Sequence, residues 1–211
     1  LVFANKDGDK PVDLKLEYLF GKPPRTIIND IAQSLVFEDV EYDASQLQDY
    51  LQSVLQIEAV ACKDWLTNKV DRSVTGRVAK QQCTGTIQLP LNNVGVAALD
   101  YQGEKGIATA IGHAPVSALI NPEKGSVLSV SESLLNIIWA PLDEGLASVS
   151  LSANWMWPAR NQGEDARLYQ AVEAVSDFAI ELGINIPTGK DSLSMTQKYP
   201  DGEKVYSPGT V

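Results

Sequence analysis

The chain has 211 residues, of which 44% are apolar and 21% charged. That composition suits a globular protein with a sizeable core, built as one domain plus an extension or as two small domains. The net charge of −10 repels phosphate backbones, so no nucleic acid is expected as partner; a nucleotide stays open, because a bound divalent cation offsets the charge locally. No stretch nears the roughly twenty apolar residues of a membrane span, and no signal peptide or Asn-x-Ser/Thr acceptor is visible. Cys62 and Cys83 lack metal-type spacing and read as free thiols. The cytoplasm is the expected setting, with no membrane partner.

Residues 1–58 read as a linker arm. Asp7-Gly8-Asp9 marks a polar turn, and Gly21-Lys22-Pro23-Pro24 interrupts any regular element. Asp43 or Ser45 caps a docking helix whose apolar stripe is Leu47, Leu51, Val54 and Leu55. From residue 59 to 211 helices and strands alternate. Val94–Leu99 and Gly106–Gly112 read as strands, and Ser126–Trp139 as a helix with Val127, Val130, Leu134, Ile137 and Ile138 at helical spacing. Leu146–Ser152 alternates small polar and apolar residues, as a strand does. Glu164–Leu182 reads as a long helix, acid-rich at its start and stopped by Gly183. Ile184–Pro187 is a short strand entering a Gly189 loop, and Asp201-Gly202 turns a hairpin. The start at Leu1 and the end at Pro208-Gly209-Thr210-Val211 read as those of a piece cut from a longer chain.

Several residues carry chemistry. Glu132 and Asn136 lie one helical turn apart and share a face, where a carboxylate and an amide oxygen can hold Mg²⁺; a solvated face produces the same spacing. Asp71-Arg72-Ser73-Val74-Thr75-Gly76 is rich in donors and reads as a phosphate-gripping turn, against the plainer reading of Arg72 paired with Asp71. Gly189-Lys190-Asp191-Ser192 is not a P-loop: Gly183 is one residue too far away, and Asp191 replaces the Ser or Thr. Asp191, following a strand, is positioned to offer a carboxylate to Mg²⁺ or to a substrate amine. His113, the single histidine, has no nucleophile beside it in the sequence and reads as structural. Trp155-Met156-Trp157-Pro158 reads as core or interface.

Together with Leu19-Phe20-Gly21-Lys22-Pro23, Leu151-Ser152-Ala153-Asn154-Trp155-Met156, Gly163-Glu164-Asp165 and Gly189-Lys190-Asp191-Ser192-Leu193-Ser194-Met195, the Asp71–Gly76 segment resembles the large, single-chain phosphoribosylformylglycinamidine synthases of purine biosynthesis, from about Leu14 onward. The resemblance implies an α+β fold, a mainly antiparallel sheet with helices on one face. It would be the N-terminal module of the second aminoimidazole-ribonucleotide-synthetase-like half, which pairs with another module into a β-barrel. It also implies an ATP- and glutamine-dependent ligase whose glutaminase and primary active site lie outside this chain, and an auxiliary ADP with Mg²⁺. In that scheme Lys63 contacts the nucleotide, with Asn92 and Asp191 as further cofactor-binding residues, and Glu132 and Asn136 are metal ligands. Asn92-Asn93 stands where many members have Ala-Asp; Asn93 therefore keeps an oxygen ligand but removes a charge. No catalytic residue is expected here. The expected partners are the nucleotide, the remaining domains of the enzyme, and a second copy bound through the uncovered barrel sheet. The alternative is a structural module whose nucleotide site has decayed.

Overall fold

The computed structural model describes residues 1–22, 24–33, 35–63, 72–81, 83–90 and 93–211. The arm begins with a hairpin, β1 (Val2–Phe3) against β2 (Val12–Asp13). Its turn is closed by Asn5, whose Oδ1 accepts the N–H groups of Asp7 and Asp9. A short helix, α1 (Leu16–Phe20), ends at Gly21. Helix α2 (Leu47–Gln56) follows a single 3-10 turn at Ala44–Gln46, which Asp43 caps by accepting the Ser45 N–H. The expected apolar stripe of α2 is present but exposed along its length, and no residue of the helix is buried.

A three-stranded antiparallel sheet runs in the order β3 (Val78–Lys80), β6 (Val94–Ala98), β7 (Gly106–Ala110). β4 (Cys83–Thr84) and β5 (Leu89–Pro90) form a small ladder between β3 and β6 in the chain. Two helices follow β7. The short α3 (Pro115–Ile120) has no counterpart in the sequence reading. The longer α4 (Pro122–Ile137) starts four residues earlier than its apolar spacing suggests, because Asn121 caps it through Lys124 N–H and Pro122 occupies the first turn. A Cβ on Gly125 would fall inside contact distance of the Ala118 backbone, so glycine permits α3 and α4 to cross closely.

β8 (Ser150–Met156) and β9 (Asn185–Ser192) pair in parallel, linked by the nineteen-residue α5 (Glu164–Leu182). Parallel neighbours require such a crossover. Two expectations are corrected here. Residues Gly145–Ser148 form a 3-10 turn, not the start of a strand, and β8 begins at Ser150. The Gly189 segment is not a loop: β9 continues through it to Ser192, with Gly189 opposite Ala153, whose carbonyl leaves no room for a side chain. β10 (Thr196–Lys198) and β11 (Lys204–Tyr206) form the hairpin turned at Asp201-Gly202.

The core lies between α4, α5 and this parallel pair. Val130, Leu134, Val149, Val175 and Ile184 are buried there, with Leu151, Trp155, Phe178 and Ile186 against them. On α5 the buried positions Arg167, Ala171, Val175 and Ala179 repeat every fourth residue, which makes one face. On α4 the small residues Gly125, Ser126 and Ser129 are buried, and the two helices pack along one another. Each fully buried valine contributes about 1.5–3 kcal/mol. Among the described residues the architecture is α+β, with antiparallel ladders, one parallel pair and helices packed on that pair.

Candidate functional site: a polar cleft between β3–β6–β7 and α4

A cleft of about 870 Å³ opens on the three-stranded sheet beside α4. Much of its wall is aliphatic. Its polar groups include Arg72, Lys80, Asn93, His113, Glu132 and Asn136. Val78 and Lys80 both line it, on either side of an irregularity in the β3–β6 register.

Arg72 is held by two side-chain amides. Its Nε donates to Gln81 Oε1 at 2.7 Å and its guanidinium NH2 to Gln88 Oε1 at 2.9 Å. Both partners are neutral amides, and among the described residues no carboxylate pairs with it. The backbone around it is unusual. Thr75, which lines the cleft, and Gln88 both have positive φ, 73° and 57°. A β-branched residue there is an outlier, and such strain persists where surrounding structure holds it.

Glu132 and Asn136 hold the end of β7 against α4. Glu132 Oε2 accepts the His113 N–H at 2.9 Å, and Asn136 Nδ2 donates to Ile111 O at 3.0 Å. Between these two bonds sits Gly112, where a Cβ would collide with Ser129 O and Ser133 N and stand 3.0 Å from the Glu132 Cβ. Glycine therefore lets strand backbone lie directly on the helix. Each bond uses one polar atom, and among the described residues no hydrogen bond engages Glu132 Oε1 or Asn136 Oδ1.

The residues singled out from the sequence separate in space. Asn93, Glu132 and Asn136 line the cleft together. Lys63 is not among its lining residues; its ammonium donates to Glu58 O and to Ala61 O, the latter at 3.1 Å. Asp191 lies on β9 in a separate recess of about 400 Å³ with Ala153, Trp155, Ile186 and Lys190. Asn92 and Asp71 fall outside the described residues. Lys80, Gln81 and Gln88 were not picked out from the sequence. For Lys80 no local signal exists, because the β3–β6 register shifts between it and Val78; for the glutamines, bonds spanning 9 and 16 positions leave none.

The donor set bears on a metal. Glu132 is the one carboxylate among the described residues lining the cleft, and no three His, Cys, Asp or Glu side chains among the described residues form a metal cage. Mg²⁺ is commonly held by one or two carboxylates with phosphate oxygens completing its shell. One carboxylate and two amides, with Arg72 and Lys80 nearby, fit a metal that arrives with a phosphate and not a metal alone.

Comparison with known proteins places the chain. The family model of the FGAR-AT PurM_N-like domain matches residues 62–211. Phosphoribosylformylglycinamidine synthase of Dictyostelium discoideum is 40% identical over 98% of this chain and 16% of that protein. The synthase of Homo sapiens is 41% identical over 95% of this chain and 15% of that protein, and that of Saccharomyces cerevisiae 43% over 92% and 14%. The chain thus spans about one sixth of the length of the curated relatives it matches. A solved structure described as T. maritima PurL complexed with ADP overlays with a TM-score of 0.49 at 16% identity, covering 96% of this chain and 29% of that one. With its model matched over all of β3 to β11, the chain belongs to the FGAR-AT PurM_N-like domain family.

Proposed function

We propose that this chain is part of a phosphoribosylformylglycinamidine synthase and that its cleft supplies one side of a nucleotide–Mg²⁺ site. In this reading residues 1–58 are a linker arm and 59–211 a module of the larger enzyme, a cytoplasmic ATP-dependent ligase. The module catalyses nothing alone. The observation that carries the reading is the convergence of Asn93, Glu132 and Asn136 on one cleft with Arg72 and Lys80. Glu132 and the two amide oxygens would hold Mg²⁺, which would offset the charge of the phosphates of ADP or ATP inside an acidic protein. Arg72, already aimed by Gln81 and Gln88, would take a non-bridging phosphate oxygen. Lys63, Asn92 and Asp191 belong to the site only if other parts of the enzyme bring them to it.

The test is a thermal melt with and without millimolar ADP and MgCl₂. A ligand that binds the folded state raises the midpoint by an amount set by its concentration relative to Kd. The expected result is a rise that Glu132→Gln and Arg72→Ala each abolish. No rise in the wild type, in this chain or in the longer enzyme, sinks the reading.

A second reading, a structural module with a decayed site, is favoured by one observation: Glu132 and Asn136 already spend atoms on the backbone at 111–113. Asn93→Asp separates the two. Restored charge that creates a nucleotide-dependent rise absent from the wild type identifies decay. The exposed apolar side chains of the strands, among them Ile107 on β7 and Val205 and Tyr206 on β11, support self-association through an uncovered sheet; a monomer at micromolar concentration by light scattering counts against it.

A further inference from the structure

We infer that Asp30 is a latch that fastens the arm to the first turn of α5, and that the arm is released as a unit when this carboxylate is lost. Helix α5 starts after Gly163, which sits at φ 83° and has no side chain to accept from the first-turn N–H groups. Those groups need an acceptor. The arm provides it across more than 130 residues of sequence. Asp30 Oδ1 accepts Gly163 N–H at 3.0 Å, and Oδ2 accepts Asp165 N–H at 3.1 Å and Ala166 N–H at 3.2 Å. A carboxylate at a helix N-terminus also gains from the helix dipole.

A second observation points to the same place. A Cβ on Gly163 would stand 3.0 Å from Gln33 Cγ, 3.2 Å from Gln33 N and 3.3 Å from Ile31 O. The arm backbone therefore crosses directly over the glycine that begins the helix. Elsewhere the arm holds on weakly. No described residue from 1 to 58 is buried, and the half-buried ones are Val12, Asp30, Ala32 and Tyr50. Val12 pairs inside the β1–β2 hairpin, and Tyr50 OH accepts the Asp43 N–H within the arm itself. Among the described residues docking is thus concentrated at 30–33, and none of these belongs to the Val130–Leu134–Val149–Val175–Ile184 core.

The experiment combines limited trypsin cleavage after Arg25 with hydrogen exchange, on wild type, Asp30→Ala, Asp30→Asn and Gly163→Ala. Asp30→Ala is expected to speed cleavage after Arg25 about tenfold, the scale of one lost capping interaction. It should also speed exchange at 163, 165 and 166, with α4 and β8 unchanged. Asp30→Asn, which keeps one acceptor oxygen, should fall between, and Gly163→Ala should release the arm by crowding it. If Asp30→Ala does not fold, Asp30→Asn is read by the same criteria. Unchanged cleavage in the Asp30 variants overturns the latch. So does a uniform loss of protection through α4 and β8, because Asp30 would then be part of the global fold.

Discussion

Glu132 and Asn136, one turn apart on α4, grip opposite sides of the same three-residue segment: one accepts the N–H of His113 and the other donates to the carbonyl of Ile111. This gives the pair two duties. It positions the end of β7 on the helix, and both side chains line the cleft. Any substitution must be read for both.

Asn136→Ala removes the donor that Ile111 O relies on and should lower stability by about 1 kcal/mol. Glu132→Ala should cost a similar amount. Because both act on one backbone segment, the double variant should lose less than the sum. Urea denaturation of the four proteins measures this; strict additivity would mean that the two bonds are independent.

Gly112→Ala inserts a methyl group where Ser129 O and Ser133 N leave no space. The expected cost is about 1–3 kcal/mol, as for other overpacked sites. The strand end should lift from α4, so exchange at His113 should rise with the fall in stability. An alanine variant as stable as wild type would show that β7 does not rest on the helix.

Acid should weaken the arm's attachment. Burial pushes the Asp30 carboxyl up, but the N–H groups of Gly163, Ala166, Ile31 and Asp165 more than offset it and hold it below its ordinary range. A carboxyl depressed in the folded state stabilises above its unfolded pKa of about 3.9 and loses that stabilisation as pH falls through the folded value. Glu164, beside it, has the opposite sign: burial pushes it up, against the Arg167 guanidinium and the Trp157 indole. The other charges facing this turn are Asp165 and Arg167. Between pH 5 and 3, cleavage after Arg25, read with an acid-active protease of matched specificity or by exchange at 163–166, should accelerate in wild type. It should be flat in Asp30→Asn. Equal pH dependence in the two would assign the effect to Glu164.

Leu134→Ala should cost about 2–5 kcal/mol, because Leu134 is buried where α4 meets Val149, Val175 and Ile184. Leu135→Ala, next in the chain but exposed, should change little. Guanidinium unfolding of both variants checks the orientation of α4, on which the placement of Glu132 and Asn136 depends.

Much of the secondary structure was legible because its signals are local. Helix α5 shows its acidic start and its Gly183 stop, and the structure realises both, with Gly183 left-handed at φ 69°. The β10–β11 hairpin follows from Asp201-Gly202. Strand β8 was mis-phased because Leu146–Ser152 alternates as well in a 3-10 turn followed by a strand as in a strand alone. Strand β9 was cut short because a glycine in a strand and a glycine in a loop look alike until Ala153 is seen opposite it.

Amino-acid order by itself determined what depends on neighbours a few residues apart: the shared face of Glu132 and Asn136, the Asp43 cap ahead of α2, the Gly183 stop of α5, the hairpin turn and the acidic balance. Tertiary structure decided what depends on pairing across the chain. It set Lys80 and Arg72 beside Asn93 in the cleft, kept Lys63 and Asp191 out of it, and brought Asp30 to a helix that starts 134 residues later. The reason is physical. Helical and turn periodicity is written in local backbone geometry, whereas strand register and long-range capping are selected by burial and hydrogen bonding that only the assembled fold provides.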